Sequence, residues 1–535
     1  MRERLRSITN VRDLRWWLPV AVVVLPIAYH ALRAAAGNWI AFSDDAYFTA
    51  RSRDVLTSHH PLVGAWSSGS VDVDTQVNNL GPLQLDLLAP FTKLAPDGGT
   101  AIGVAVTNIA AVIVVAWLIK RTIGVRAILP AMVPLALLTW TMGSEMLITP
   151  RQHQYLILPY VCFLVACWAV AAGDRWATVA AVVSGSLLTQ THLSYPILVA
   201  GVGGAALVGH VVAIRVYGAT GSRRPWIVAL VVGLVLWSQT VVDQFFGRGN
   251  LTAALSSPGE SDANGLVTGV RVVARVLVST DALLRPGYRA IVFDDLPGVG
   301  GLLVLATGLI VAGAALVVLV RRGSWRWAAG VLVALVAVLA GFADAALLPR
   351  TIWGLLTIYY RWLWATAAFI AVLAAVAVGR LVERTGSRTT RLAAAGVAAV
   401  VLASAAIANV PRSVQSSDPE AYVADRDSVR RVVEALRSVD LPDPVVVDVD
   451  HLYFSQPYTY AVLVLLQERG IDFRLEGDVM ARRFGEGRRS DGTEPHLVLW
   501  HDQDAQARRG SPDLVAYVDE GIRDIAITLE GGDPP

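Results

Sequence analysis

Long apolar stretches, each able to cross about 30 Å of hydrocarbon, recur through the chain and leave few folds open to it. They begin near Trp16, Ala101, Arg126, Tyr155, Trp176, Tyr195, Trp226, Gly301, Trp325, Tyr359 and Leu392, which predicts about eleven membrane-spanning helices. Only 16% of the 535 residues are charged, against about 25% in an average globular protein. The cations are grouped: Lys120, Arg121 and Arg126; Arg175; Arg215, Arg223 and Arg224; Arg321, Arg322 and Arg326; Arg380, Arg384, Arg388 and Arg391. Together with the arginines before the first stretch, all of these fall on one side when the spans are counted alternately. Lys and Arg favour short cytoplasmic connections, so that side is expected to be cytoplasmic. An odd number of spans then puts the C-terminal segment outside, with the two long connections, residues 37 to 99 and 247 to 299.

The same composition excludes other classes. The net charge is +2 and the cations are dispersed between apolar stretches, so no basic face exists to grip nucleic-acid phosphates. Cys162 and Cys167, the only cysteines, stand inside one apolar stretch and offer neither a disulfide framework nor a zinc site. The N-terminal arginines before an apolar run look like a secretion signal without a small-residue cleavage site, which predicts a retained first span.

In the first outer loop, Asp45 to Leu56 is expected to be helical, and Gly81 to Pro90 to form a second, interfacial helix that Pro82 opens and Pro90 ends. From Pro411 the long apolar runs stop. Expected strands at Val445–Val449, Asp472–Leu475 and His496–Trp500 alternate with a helix from Tyr458 to Glu468 that stops at Gly470. The chain is thus read as a polytopic membrane part, residues 1–410, followed by an extracytoplasmic α/β domain, residues 411–535. No G-x-G-x-x-G or P-loop accompanies that domain, and Arg482 to Gly492 reads as a flexible polar loop.

The sharpest local signal is Phe42-Ser43-Asp44-Asp45-Ala46-Tyr47-Phe48, just beyond the first span. Two adjacent carboxylates at a water–membrane boundary suit a proton acceptor or a divalent-cation ligand, because like charges in a partly desolvated place raise one another's pKa. The plainer alternative is a helix cap. Cationic and polar partners on the same outer side are Arg151 and His153, His192, Arg350, and Tyr359 with Arg361. Each arginine there runs against the positive-inside tendency, which points to an anion such as phosphate, although snorkelling to the interface explains any one of them. His59 and His60, near Asp54, Asp72 and Asp74, lack a recognised metal-ligand spacing, and Asp294-Asp295 suits a turn.

The acid pair after the first span, the amphipathic loop helices, the Gly-Pro-Leu-Gln helix that leads into Leu-Leu-Ala-Pro-Phe, the many spans and an outer C-terminal domain together resemble the GT-C superfamily of membrane glycosyltransferases. The resemblance covers about residues 10 to 410. It implies an inverting enzyme that takes a sugar from a polyprenyl-phosphate donor and gives it to an extracytoplasmic glycan, lipid or protein. It also implies an aspartate base in the first outer loop, here Asp44, with Asp45 as base, metal ligand or cap; a divalent cation is the one cofactor left open. The expected partners are the donor, a glycan or lipid acceptor and the bilayer, and no nucleic acid. Heavy use of Ala, Val, Arg and Gly suits an actinobacterium-like genome and hence cell-wall glycan assembly. The rival reading is a lipid-linked saccharide transporter or flippase, which would be expected to show internal repeats and midspan charges.

Overall fold

A computed structural model of the chain describes residues 15–37, 39–67, 77–95, 98–256, 263–350, 354–410, 422–448, 457–519 and 524–531. The membrane part is a bundle of helices: α1 Leu18–Ala36, α2 Asp44–Arg53, α3 Leu83–Leu94, α4 Gly99–Thr122, α5 Ile128–Met142, α6 Gln152–Ala171, α7 Ala177–Thr191, α8 Tyr195–Arg215, α9 Arg224–Phe246, α10 Gly265–Val278, α11 Val299–Arg321, α12 Trp325–Leu347, α13 Trp362–Thr385 and α14 Arg388–Ala408. Among the described residues ten helices are long and apolar enough to cross a membrane, α5 and α13 each with the short turn before it. The stretch that begins at Trp176 gives the 15-residue α7, which at about 1.5 Å per residue is short for a full crossing. Helix α6 is buried on every side and forms the axis of the bundle, whereas α9, α11 and α14 turn nearly all of their surface outward, as lipid-facing helices do.

The cationic connections meet at one end. Arg121 forms a bidentate pair with Asp174, at 2.5 and 2.8 Å. Arg126 and Arg380 share Glu383, and Arg380 also donates to the Ile123 carbonyl at 2.6 Å. The structure therefore gathers at one end the residues that alternate counting assigns to one side. The arginines before Arg15 lie outside the described residues.

At the opposite end lies the first long connection. Helix α2 starts one residue earlier and ends three residues sooner than its sequence suggests, since Asp54 to Leu56 turn away to meet other elements. Pro90 does not end α3: the helix runs through it to Leu94. A proline removes one helical hydrogen bond, but contacts further along hold the last turn. Ser52 Oγ donates to Thr92 Oγ1 at 3.1 Å, and Arg53 donates to the Thr92 carbonyl at 2.9 Å.

The C-terminal part is a five-stranded mixed sheet in the order β2-β1-β3-β5-β4, made of β1 Val445–Asp448, β2 Phe473–Arg474, β3 His496–His501, β4 Leu514–Val518 and β5 Ile525–Glu530. β1 pairs in parallel with β2 and β3, while β3, β5 and β4 run antiparallel. Helices α15 Tyr422–Arg437 and α16 Tyr458–Arg469 accompany it, and α16 stops at Gly470 with φ 75°. Pro411 and Val449 lie outside the described residues. Arg482–Gly492 is not a loose loop: it carries the end of helix α17, Asp478–Phe484, and a 3-10 turn, with Arg483 and Arg488 buried. Its polar composition reflects buried charge pairing with the first loop.

Candidate functional site

Helix α2 has a polar sequence, yet every residue from Asp45 to Ser52 is buried, because the bundle lies on one side and the sheet domain on the other. Toward the bundle, Thr49 Oγ1 and Thr100 Oγ1 are 2.6 Å apart. Toward the sheet, Tyr47 packs edge-on against Phe484 and its hydroxyl donates to the Arg483 carbonyl at 3.2 Å. Ser43 holds the N-cap position with φ 51°, a left-handed value costly for a residue with a Cβ, and its side chain makes no cap bond. Its N–H instead donates to the Pro457 carbonyl at 3.2 Å.

The two acids that follow are treated differently. Asp45 is 1% exposed; its Oδ1 accepts from Thr149 Oγ1 at 2.8 Å and from Arg151 Nε at 3.3 Å. Asp44 is exposed, with its Oδ2 4.0 Å from the same Arg151 nitrogen. Both carboxylates sit in the first turn of α2, where the helix dipole favours negative charge.

Arg151 opens a second, cationic half. His153 stands edge-on to His192 at 5.0 Å and to Tyr359 at 5.9 Å. Burial pushes the His192 imidazole down to about 4, so it is neutral at physiological pH. Arg361 is buried with its guanidinium 4.7 Å from the centre of the Tyr288 ring, and Arg151 and Arg289 lie near enough to repel it. Arg289 is paired with Glu145 at 3.2 Å. The Nε groups of Arg289 and Arg361 are buried with no protein partner among the described residues, and the buried Tyr288 hydroxyl faces Arg361. Such a cluster of donors and positive charge suits an oxyanion.

No family model and no curated protein matches this chain in sequence. Its structure is similar to that of ArnT from Cupriavidus metallidurans in the apo state, with a TM-score of 0.51 over 94% of this chain and 97% of that one, at 13% identity. The chain has the GT-C fold. Other solved structures align more loosely: the same ArnT bound to undecaprenyl phosphate, TM-score 0.46 at 14% identity over 94% and 97% of the two chains, and the Archaeoglobus fulgidus oligosaccharyltransferase in complex with Zn and sulfate, TM-score 0.43 at 12% identity over 91% and 68%.

Within this GT-C bundle, Asp44, Asp45, Arg151, His153, His192, Tyr359 and Arg361 come together at the end opposite the cationic connections. Arg350 is exposed, with its Nη2 3.5 Å from the carbonyl of Asn264, whose side chain donates to the Tyr360 hydroxyl at 2.7 Å. His59 faces Asp472 of the sheet domain at 3.0 Å and His60 faces Gln239 at 3.0 Å, while Asp72 and Asp74 lie outside the described residues. Asp294 and Asp295 are exposed in a connection. Among the described residues no three His, Cys, Asp or Glu side chains converge, and the partner that the acid pair meets is a guanidinium.

Sequence reasoning misses Thr149, Tyr288, Arg289 and Glu145, which the second long connection and the turn before α6 bring in. It also misses Asp344, a buried acid near the outer end of α12 with its Oδ2 unpartnered among the described residues. Its signal is a lone carboxylate in the apolar run Leu339-Ala340-Gly341-Phe342-Ala343-Asp344-Ala345.

Proposed function

We propose that this chain is a membrane glycosyltransferase that moves a sugar from a polyprenyl-phosphate donor to a hydroxyl of an extracytoplasmic acceptor: a glycan, a glycolipid or a protein. The observation that carries this reading is the division of labour around Arg151. Asp45 is buried and accepts hydrogen bonds from Thr149 and Arg151, whereas Asp44 stands exposed beside the same guanidinium. The GT-C fold gives the arrangement its setting.

In this reading Asp44 takes the proton of the acceptor hydroxyl as its oxygen attacks the anomeric carbon. The bond from that carbon to the donor phosphate oxygen breaks with inversion, and the polyprenyl monophosphate leaves with the added negative charge. Arg151 and Arg361, with Arg289 behind them, stabilise that charge where it develops, in a site with little water to screen it. Asp45 orients Arg151. His153 and the neutral His192 beside it add polar surface to this half of the site. The sheet domain and the acid pair face the extracytoplasmic side, since the opposite end carries the cationic connections.

The test is to incubate the purified protein with a panel of polyprenyl-phosphate sugars and a hydroxyl acceptor and to measure release of the lipid phosphate. Release with one donor, abolished in Asp44→Asn, supports the reading and names the sugar. Absence of release across the panel, with the donor instead carried across a vesicle bilayer, would replace it with a transporter.

A further inference from the structure

Helix α2 is attached to the C-terminal sheet domain at both ends and along its middle. At the N-terminal end, Ser43 N–H donates to the Pro457 carbonyl at 3.2 Å. Midway, the Tyr47 hydroxyl donates to the Arg483 carbonyl at 3.2 Å, and in the last turn Arg51 Nη1 donates to the Phe484 carbonyl at 2.7 Å and Gln467 Nε2 to the Ala50 carbonyl at 3.1 Å. At the C-terminal end, Asp54 receives Gln467 at 2.8 Å and Arg488 Nη2 at 2.5 Å, with Asp54 and Arg488 almost wholly buried. Arg488 is itself fixed from behind: its guanidinium lies 3.6 Å from the centre of the Phe473 ring, and its Nη1 reaches Asp472 at 3.1 Å. The start of β2 thus sets where the Arg488 fork stands, and the fork sets where α2 ends.

A planar guanidinium stacked on an aromatic ring and paired through two nitrogens fixes direction as well as distance. α2 is a single ten-residue rod, so a shift at Asp54 is carried to its first turn, where Asp44 and Asp45 stand. We propose that Arg488 is a positioning residue that acts through Asp54 and the length of α2 to hold Asp44 and Asp45 against Arg151, which makes the C-terminal domain part of the transfer apparatus. The inference rests on the glycosyltransferase reading for its kinetic consequence, but its structural core stands without it.

The experiment compares wild type with Arg488→Gln, Arg488→Lys and the exchanged pair Asp54→Arg with Arg488→Asp, all as full-length protein. Hydrogen exchange and lipid-phosphate release are both read. Arg488→Gln is expected to raise amide exchange in residues 44–53 about tenfold or more while leaving α6 protected. It is also expected to lower kcat up to about 100-fold, the scale of a misplacement near 1 Å, with the donor KM changed less than about threefold. Arg488→Lys recovers part of the rate and the exchanged pair more. Unchanged exchange in residues 44–53 would overturn the proposal, as would an unchanged kcat in a folded variant, or a loss confined to donor KM. If wild type itself releases no lipid phosphate, the enzyme reading fails and the exchange measurement alone decides the positioning claim. Variants too unstable to purify are replaced by Gln467→Ala, which removes the sheet domain's second bond to Asp54 and is expected to loosen the same helix to a smaller degree.

Discussion

Asp45 and Arg151, 106 residues apart, meet at 3.3 Å with Thr149 completing the carboxylate's shell at 2.8 Å. A carboxylate this deeply buried is tolerable only while its partners remain, so the pair couples the first long loop to the turn before α6.

Removing Arg151 alone therefore leaves a buried charge uncompensated. Arg151→Ala is expected to destabilise the protein by about 3–5 kcal/mol and Thr149→Val by about 1 kcal/mol. The double variant Asp45→Asn with Arg151→Ala should be milder than the sum of the singles. Thermal unfolding in detergent measures the cycle, and additive effects would show that the two residues are not coupled.

Asp44 is expected to behave in the opposite way. Being exposed, it should tolerate Asp44→Asn within about 0.5 kcal/mol of wild-type stability, yet transfer from a polyprenyl-phosphate donor should stop. A folded Asp44→Asn protein with normal turnover removes this carboxylate from the proton transfer.

His192 gives a pH signature of stability. Its folded-state pKa is lowered from 6.5 to about 4 by burial, so between those values the unfolded chain takes up a proton that the folded chain refuses. The contribution is fully present above about 6.5 and is lost as pH falls toward about 4. Melting temperatures across that window should fall less steeply in His192→Gln than in wild type. Parallel profiles would mean that the imidazole is not buried in its neutral form.

Orientation can be read with thiols, since the native Cys162 and Cys167 are buried. Asp513→Cys, on an exposed turn of the sheet domain, should react with an impermeant maleimide on intact cells. Thr220→Cys, exposed at the cationic end, should react only after lysis. The reverse pattern would invert the whole topology.

The membrane helices are legible in the sequence because lipid enforces helix wherever a long apolar run occurs, and the ends of those runs carry their own aromatic and cationic marks. The strands at Val445 and His496 are legible for a similar reason, as apolar runs bounded by polar turns. The strands β4 and β5 are less legible: Leu514–Val518 is only partly buried, so it lacks the apolar run that marks β1 and β3, although the strand it pairs with, Ile525–Glu530, is the next along the chain. Arg488 shows the limit most clearly. In sequence it lies in a run of Arg, Glu and Gly that looks solvated; its partner Asp54 is 434 residues away, and no local pattern distinguishes a paired buried charge from a free surface one. The acid pair stands out through its place after the first span, whereas Tyr288 and Arg289 come from a connection whose path depends on the packing of the whole bundle.

The seat of α2 also orders the protein's birth. Its acids are made among the first fifty-odd residues, but α16 and α17, which hold it, emerge some 400 residues later; at about 5–20 residues per second this is a wait of roughly 20–80 s. Throughout that interval the membrane helices can be inserting while the acid helix has only half of its cradle. A ribosome that stops before α17 leaves behind a bundle whose acid helix lacks half of its seat, so the centre is finished only when residues made some 400 positions later arrive.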